Sequence, residues 1–138
     1  MLRSLKALDV PLFLAFDQRY LLGFVILLRS ISCVRKPGVK FRVFAAFDVE
    51  DEGSLNWAKQ RVPAEGFEYE WIDAKARRLG EGMYVHSHFT KACYFRLYMA
   101  SLLPESIDRV LYLDVDIVVR QCPSTIFEMD LGSAGIGA

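Results

Sequence analysis

Two aspartates one residue apart, Asp114 and Asp116, interrupt an apolar run that reads VLYLDVDIVV over residues 110–119. The β-branched and aromatic residues of this run predict a buried strand, in which an unpaired carboxylate would cost several kcal/mol. Alternate residues of an extended chain point to the same side, so both carboxylates can reach one cation. Because oxygen ligands select hard cations, the pair predicts a Mg²⁺ or Mn²⁺ site with open positions for substrate phosphates.

Composition narrows the class of protein. With 138 residues, of which 53% are hydrophobic, the chain is long enough for one folded domain and is not a disordered segment. The 17 basic and 17 acidic residues balance, so no overall positive field attracts nucleic acid. Three widely spaced cysteines argue against a disulfide framework or a zinc cluster, and the longest apolar stretch, residues 21–28, is too short to span a membrane. We therefore expect a soluble, cytoplasmic protein.

Short apolar runs alternate with helical patterns along the chain. The patterns predict strands at 11–16, 40–47, 67–72 and 109–114, helices at 18–34, 50–61 and 89–103, a loop at 74–87 and a short helix after 122–124. This order predicts an α/β fold with a mostly parallel sheet covered by helices, and with ligands at the carboxyl ends of the strands. Residues 134–138 read as the start of a further strand, so we expect a fold that is truncated at its C-terminus.

Two residues near the end of the first strand are candidates for ligand binding. Asp17 either caps the helix that begins at Gln18 or contacts a ligand, and the two roles are compatible. Tyr20 follows three residues later, where its ring could stack on a base or pack in the core.

Arg96 is the remaining candidate from the residues alone. On a helix over 89–103, positions 89, 92, 93, 96, 97, 100 and 103 share one face, and Arg96 is the one charged residue among them. A guanidinium inside an apolar stripe needs an anion. That anion is either an internal aspartate or a bound diphosphate or sugar.

Three segments in this order resemble glycosyltransferase family 8: 13–20 (FLAFDQRY), 91–101 (KACYFRLYMAS) and 109–119 (RVLYLDVDIVV). Members of that family are retaining transferases of the GT-A fold, related to bacterial lipopolysaccharide galactosyl- and glucosyltransferases and to glycogenin. The resemblance implies that residues 1–138 form a single domain, the N-terminal nucleotide-sugar-binding part of such an enzyme. It further implies transfer of galactose or glucose from a UDP-sugar to a glycan or lipopolysaccharide-type acceptor, and a full-length protein that contacts a membrane peripherally.

The resemblance also assigns roles to individual residues. It implies that Asp114 and Asp116 hold Mn²⁺ or Mg²⁺ and act in catalysis together with Arg96. The donor-binding set that it implies is Ala15, Asp17, Arg19, Tyr20, Arg96 and Val115. Arg19 departs from the family, which usually has a small or amide residue at this position. The later histidine, glycine and lysine of the family's second half have no counterpart in this chain.

Two other interpretations remain open. A strand that ends in D-x-D-x-V also fits a haloacid-dehalogenase-like phosphatase, in which Asp114 would attack phosphorus and Asp116 would act as acid and base. That motif normally opens its domain, whereas here it lies near the end of the chain. The other interpretation is a non-catalytic fragment that binds a nucleotide without turning it over.

Overall fold

The computed structural model describes residues 7–86 and 90–137. Within them lies one four-stranded sheet with the order β3-β2-β1-β4, in which every pairing is parallel. The strands are β1 (Leu8–Asp17), β2 (Val39–Asp48), β3 (Phe67–Asp73) and β4 (Leu111–Tyr112). The helices are α1 (Leu21–Val34), α2 (Glu52–Arg61), α3 (Ala92–Phe95), α4 (Met99–Leu102) and α5 (Ser124–Phe127), with 3-10 turns at Gln18–Tyr20 and Arg96–Tyr98. The predicted α/β architecture is confirmed.

Strands β1 and β2 form the centre of the sheet. They pair without interruption from Leu8 opposite Val39 to Asp17 opposite Asp48. Nearly continuous apolar sequence suits strands that are covered on both faces. One face packs on α1 and α2, and the other on α3 and α4, so two apolar clusters flank the sheet.

Helix α1 covers the first face with a regular apolar stripe. Its buried residues recur at helical spacing and are Leu21, Phe24, Val25, Leu27, Leu28 and Ile31. The helix ends at Val34, ahead of Pro37 and of Gly38, which has a φ of 81° that favours glycine. The predicted end of this helix is therefore confirmed, while its first three residues form a 3-10 turn.

The long helix predicted over 89–103 is not a regular α-helix in the part that the structure describes. Phe89, its expected start, lies outside the described residues, and the segment from Ala92 consists of α3, a 3-10 turn and α4. The tighter 3-10 turn changes which side chains face the sheet. Ala92 and Phe95 are buried, but Leu97, which belonged to the predicted apolar stripe, is 68% exposed. Arg96 consequently does not lie within a buried stripe.

The strand predicted over 109–114 is also shorter in the structure. Only Leu111 and Tyr112 pair with β1, and a turn follows at Val115. Asp114 and Asp116 are exposed, so the expectation that burial forces a cation between them is wrong. Leu111, Leu113 and Val115 pack on the α1 side of the sheet, which explains the apolar composition of the run without burying either aspartate.

Ser30 links α1 to the chain that follows this turn. Its hydroxyl donates to the Leu27 carbonyl (2.7 Å) and accepts from the Val119 N–H (2.9 Å). Ser30→Ala leaves that half-buried N–H without its acceptor, so we expect the free energy of unfolding to fall by about 1–2 kcal/mol in urea titrations. Ser101→Ala is the matched control, because the exposed Ser101 hydroxyl donates to the Tyr98 carbonyl and accepts no backbone N–H from the described residues. Equal losses in the two variants would show that the bond to Val119 contributes nothing.

Candidate functional site

A cavity of about 250 Å³ opens at the carboxyl ends of β1 and β4, beside α3. All the predicted site residues except Asp17 line it. The lining is Ala15, Phe16, Arg19, Tyr20, Thr90, Ala92, Cys93, Arg96, Tyr112, Asp114, Val115 and Asp116. The structure thus brings together residues that are up to 101 positions apart, from Ala15 to Asp116. Their individual roles stay predictions.

Asp17 ends β1 and is only 9% exposed. Its Oδ1 accepts the backbone N–H of Arg19 (2.9 Å), which caps the 3-10 turn, and its Oδ2 lies 3.4 Å from the Arg19 guanidinium. The capping role is therefore present in the structure. A carboxylate has about four lone-pair sites, so this arrangement leaves acceptor capacity for a ligand.

Tyr20 and Ala15 present an apolar surface to the same cavity. Tyr20 is 44% exposed, so its ring is not a core residue as the alternative interpretation supposed. Ala15 lies in the buried part of β1, where its small side chain leaves room above the sheet. An exposed aromatic ring beside a small residue is a surface on which a planar base can lie.

Arg96 reaches the cavity from the 3-10 turn after α3. It is exposed, and within residues 7–86 and 90–137 it forms no salt bridge, so the internal ion pair considered from the sequence is not found there. Its positive charge lies near enough to the Tyr112 hydroxyl to act towards a lower pKa of that group, against the larger effects that raise it. The guanidinium is therefore available to an anion in the cavity.

Val115 anchors the turn that carries the two aspartates. It is 6% exposed and packs into the α1 cluster, while its two neighbours face solvent at the cavity. Gly23 of α1 lies against it, since a Cβ on Gly23 would be 2.7 Å from the Val115 carbonyl oxygen. The close approach of the α1 backbone to Val115 thus sets the position of the turn that carries Asp114 and Asp116.

Tyr112 also lines the cavity, although it was not among the residues predicted from the sequence. Its hydroxyl donates to Asp114 Oδ1 at 2.7 Å. Burial raises the pKa of Tyr112, and the hydrogen bond and negative charge of Asp114 raise that pKa further, so the phenol remains a donor at neutral pH. The available signal was its position two residues before Asp114, which places both on one side of an extended chain.

The donor set can be compared with what a metal ion needs. Asp114 and Asp116 offer carboxylate oxygens, and within the described ranges no group of three His, Cys, Asp or Glu residues is arranged to hold a metal. Mg²⁺ and similar ions commonly bind through one or two carboxylates and take their other ligands from water and substrate phosphates. The two residues therefore fit a hard cation that binds together with a phosphorylated ligand.

A larger cavity of about 510 Å³ lies at the opposite, amino ends of the strands. Residues of both signs line it, including Asp9, Lys40, Arg42 and Arg109. No predicted site residue lies there. Open α/β sheets bind ligands at the carboxyl ends of their strands. The position and the lining residues of the smaller cavity therefore make it the better candidate for the binding site, although the other cavity has the larger volume.

The model of glycosyl transferase family 8 matches residues 11–138. This chain belongs to glycosyl transferase family 8. Because the match covers nearly the whole chain, including residues 114–118, the phosphatase interpretation of that segment is left without support. No helix in the part of the chain that the structure describes is both long and apolar enough to cross a membrane.

Individual relatives agree with the family. Glycosyltransferase GlyF of Streptococcus pneumoniae is 40% identical over 62 residues, which cover 45% of this chain and 15% of GlyF. The apo structure of the bifunctional glycosyltransferase WbbM matches 95% of this chain and 23% of its own, with a TM-score of 0.73 and 20% identity. Galactosyltransferase LgtC, solved with donor and acceptor sugar analogues, matches 89% of this chain and 44% of its own, with a TM-score of 0.67 and 20% identity. These likenesses confirm the predicted GT-A fold, and the chain spans less than half of each of these relatives.

Proposed function

We propose that this chain binds a UDP-sugar in the cavity at the ends of β1 and β4. It would form the donor-binding part of a metal-dependent, retaining hexosyltransferase that moves galactose or glucose to a glycan or lipid-linked acceptor. The observation that carries the proposal is the convergence of Tyr20, Arg96, Asp114 and Asp116 on one cavity. An aromatic ring, a guanidinium and two carboxylates match the base, the diphosphate and the cation of a metal-bound sugar nucleotide.

The nucleoside end of the donor would lie over β1. Tyr20 offers its exposed ring to the uracil, and Ala15 leaves space for the base. Asp17 has lone pairs left to accept the N–H of the uracil ring, in addition to the bond from Arg19. Ala15 and Asp17 belong to β1, and Tyr20 ends the 3-10 turn that Asp17 caps, so the base would meet a preformed surface.

The diphosphate end would lie between Arg96 and the two aspartates. During transfer, the bond between the anomeric carbon and the diphosphate oxygen breaks, and UDP departs with the electron pair. The acceptor oxygen bonds to that carbon and gives up its proton to the departing UDP. Arg96 would donate hydrogen bonds to the departing diphosphate, whose negative charge grows in the transition state. Asp114 and Asp116 would hold a divalent cation, which would supply Lewis-acid stabilisation of the same leaving group.

Arg96→Ala tests the diphosphate half of this proposal. We expect UDP to bind about 10- to 100-fold more weakly in the presence of Mn²⁺, because a charge-assisted hydrogen bond to phosphate is lost. Arg96→Lys should recover only part of the affinity, since an ammonium cannot form the planar fork. Isothermal titration calorimetry measures both effects. The control is Arg77→Ala, which removes an exposed arginine outside the cavity, and equal affinities for the two alanine variants would exclude a donor contact from Arg96.

The activity itself is tested by following the release of UDP from UDP-galactose and from UDP-glucose, with Mn²⁺ and with a chelator. We expect release that requires the metal and favours one of the two sugars. Metal-linked binding of UDP without any release of sugar would instead identify a nucleotide-binding module. Absence of UDP binding under all conditions would refute both possibilities.

A further inference from the structure

The two aspartates of the cavity are held differently. Asp114 accepts a hydrogen bond from Tyr112, whereas Asp116 has no hydrogen-bond or ion-pair partner within residues 7–86 and 90–137. We propose that Tyr112 is a positioning residue that presets Asp114 for a cation, and that Asp116 takes up its orientation only when the cation and nucleotide bind. This inference deepens the proposed function and rests on it.

The Tyr112 ring is well suited to hold another side chain still. Its backbone pairs with Phe13 of β1 in the last position of β4, so the main chain at this point is fixed by the sheet. The half-buried ring packs on the apolar cluster that contains Ala92 and Phe95. A tyrosine has only two side-chain torsions, and the packing of its ring restricts both.

Asp114 lies beyond the paired part of β4 and is exposed. Within the described ranges, the Tyr112 hydroxyl is the only hydrogen-bond partner of its carboxylate. That bond occupies Oδ1 and fixes the plane of the carboxyl group. Residues that orient metal-binding carboxylates in this way typically change metal affinity about 10- to 100-fold when they are removed.

Asp116 faces the cavity without such a support. Its side chain keeps its rotamer freedom in the absence of a ligand and loses it on binding, which weakens the affinity that its charge provides. Asp114 has already been ordered by Tyr112 before the ligand arrives. Loss of the Tyr112 hydroxyl should therefore make Asp114 behave as Asp116 does, and weaken the response to the cation without removing either charge.

The test compares Tyr112→Phe with Tyr98→Phe. Tyr98 packs on the same apolar cluster, and its hydroxyl makes no hydrogen bond to the part of the chain that the structure describes. UDP is titrated calorimetrically at a series of Mn²⁺ concentrations, which gives the Mn²⁺ concentration for half-maximal UDP affinity. We expect Tyr112→Phe to raise that concentration about 10-fold while UDP affinity at saturating Mn²⁺ stays close to wild type, and Tyr98→Phe to leave it unchanged.

Several outcomes are distinguishable. An unchanged Mn²⁺ midpoint in Tyr112→Phe would overturn the positioning role alone, since the wild-type protein would still show metal-linked UDP binding. If the UDP affinity of the wild-type protein did not change with the Mn²⁺ concentration, the proposed function and this inference would both be overturned. Unfolding in urea provides the structural readout: a lower urea midpoint with no shift in the Mn²⁺ response would assign Tyr112 to packing only and contradict the proposal.

Discussion

Asp114→Asn and Asp116→Asn should each weaken Mn²⁺-dependent binding of UDP by about 100-fold or more, and remove metal-stimulated release of UDP from a UDP-sugar. Asparagine keeps the size and shape of the side chain but removes the negative charge, so the effect isolates the electrostatic contribution. Both carboxylates line the cavity and are exposed to it. Calorimetric titration of UDP with Mn²⁺ and with a chelator measures the loss, because binding without metal should change much less than binding with it.

Asp108→Asn is the control for general effects of lost charge. Asp108 is also an exposed aspartate near β4, but it lines the cavity at the opposite ends of the strands. We expect this variant to keep the wild-type response to Mn²⁺. If Asp114→Asn and Asp116→Asn behaved like Asp108→Asn, the cation site would have to be sought elsewhere.

Gly23→Ala should lower the free energy of unfolding, whereas a glycine-to-alanine change in a helix usually raises it. Alanine normally stabilises a helix interior by about 0.5–1 kcal/mol relative to glycine. At Gly23 the added Cβ would lie 2.7 Å from the Val115 carbonyl oxygen, so α1 and the aspartate-bearing turn must move apart. Overpacking of this kind lowers the free energy of unfolding by about 1–3 kcal/mol, and here we expect it to weaken Mn²⁺-linked UDP binding as well.

Gly53→Ala in α2 provides the comparison, since its Cβ would meet nothing closer than Asp51 Oδ2 at 3.5 Å, an ordinary contact. Urea titrations of the two variants should give changes of opposite sign. A Gly23→Ala protein that gained stability and bound UDP normally would show that the turn at Val115 does not depend on α1.

The sequence predicted the central strands and α1 well because their patterns are local. The parallel pairing of β1 and β2 extends both strands by a few residues beyond the apolar runs, from Leu8 to Asp17 and from Val39 to Asp48. Composition does not reveal such pairing, which depends on a partner far along the chain. The parallel pairing of the strands followed from the alternation of strands and helices, whereas the strand order β3-β2-β1-β4 was not predicted.

The errors arose where tertiary contacts decide the local geometry. The 3-10 turn at Arg96–Tyr98 changed the buried face of the helical segment, and no residue type in that segment announces such a turn. Within the run over 110–119, alternate residues face opposite sides: Leu111, Leu113 and Val115 pack on the α1 side, and Tyr112 packs on the other. Composition did not show this, because Tyr112 counts as apolar although its hydroxyl donates to Asp114. The prediction of a buried strand from composition alone was therefore wrong for Asp114 and Asp116, which are exposed.

The position of the candidate site was more predictable from the sequence than the contacts that support it. Asp17 and Asp114 were expected at the ends of two strands, and parallel strands bring their carboxyl ends to one edge. The supporting contacts could not be foreseen, since Gly23 meets Val115 across 92 positions of sequence and that meeting depends on how α1 packs. Sequence thus indicated which residues converge, whereas the structure was needed to show what holds them in place.

The most direct test of the central claim is X-ray diffraction from crystals of the protein grown with UDP and MnCl₂, measured at the manganese absorption edge. We predict an anomalous peak between the carboxylates of Asp114 and Asp116, next to the UDP diphosphate, with the uracil ring beside Tyr20. A manganese peak bound to other residues, or UDP bound in this cavity with no metal near either aspartate, would contradict the assignment.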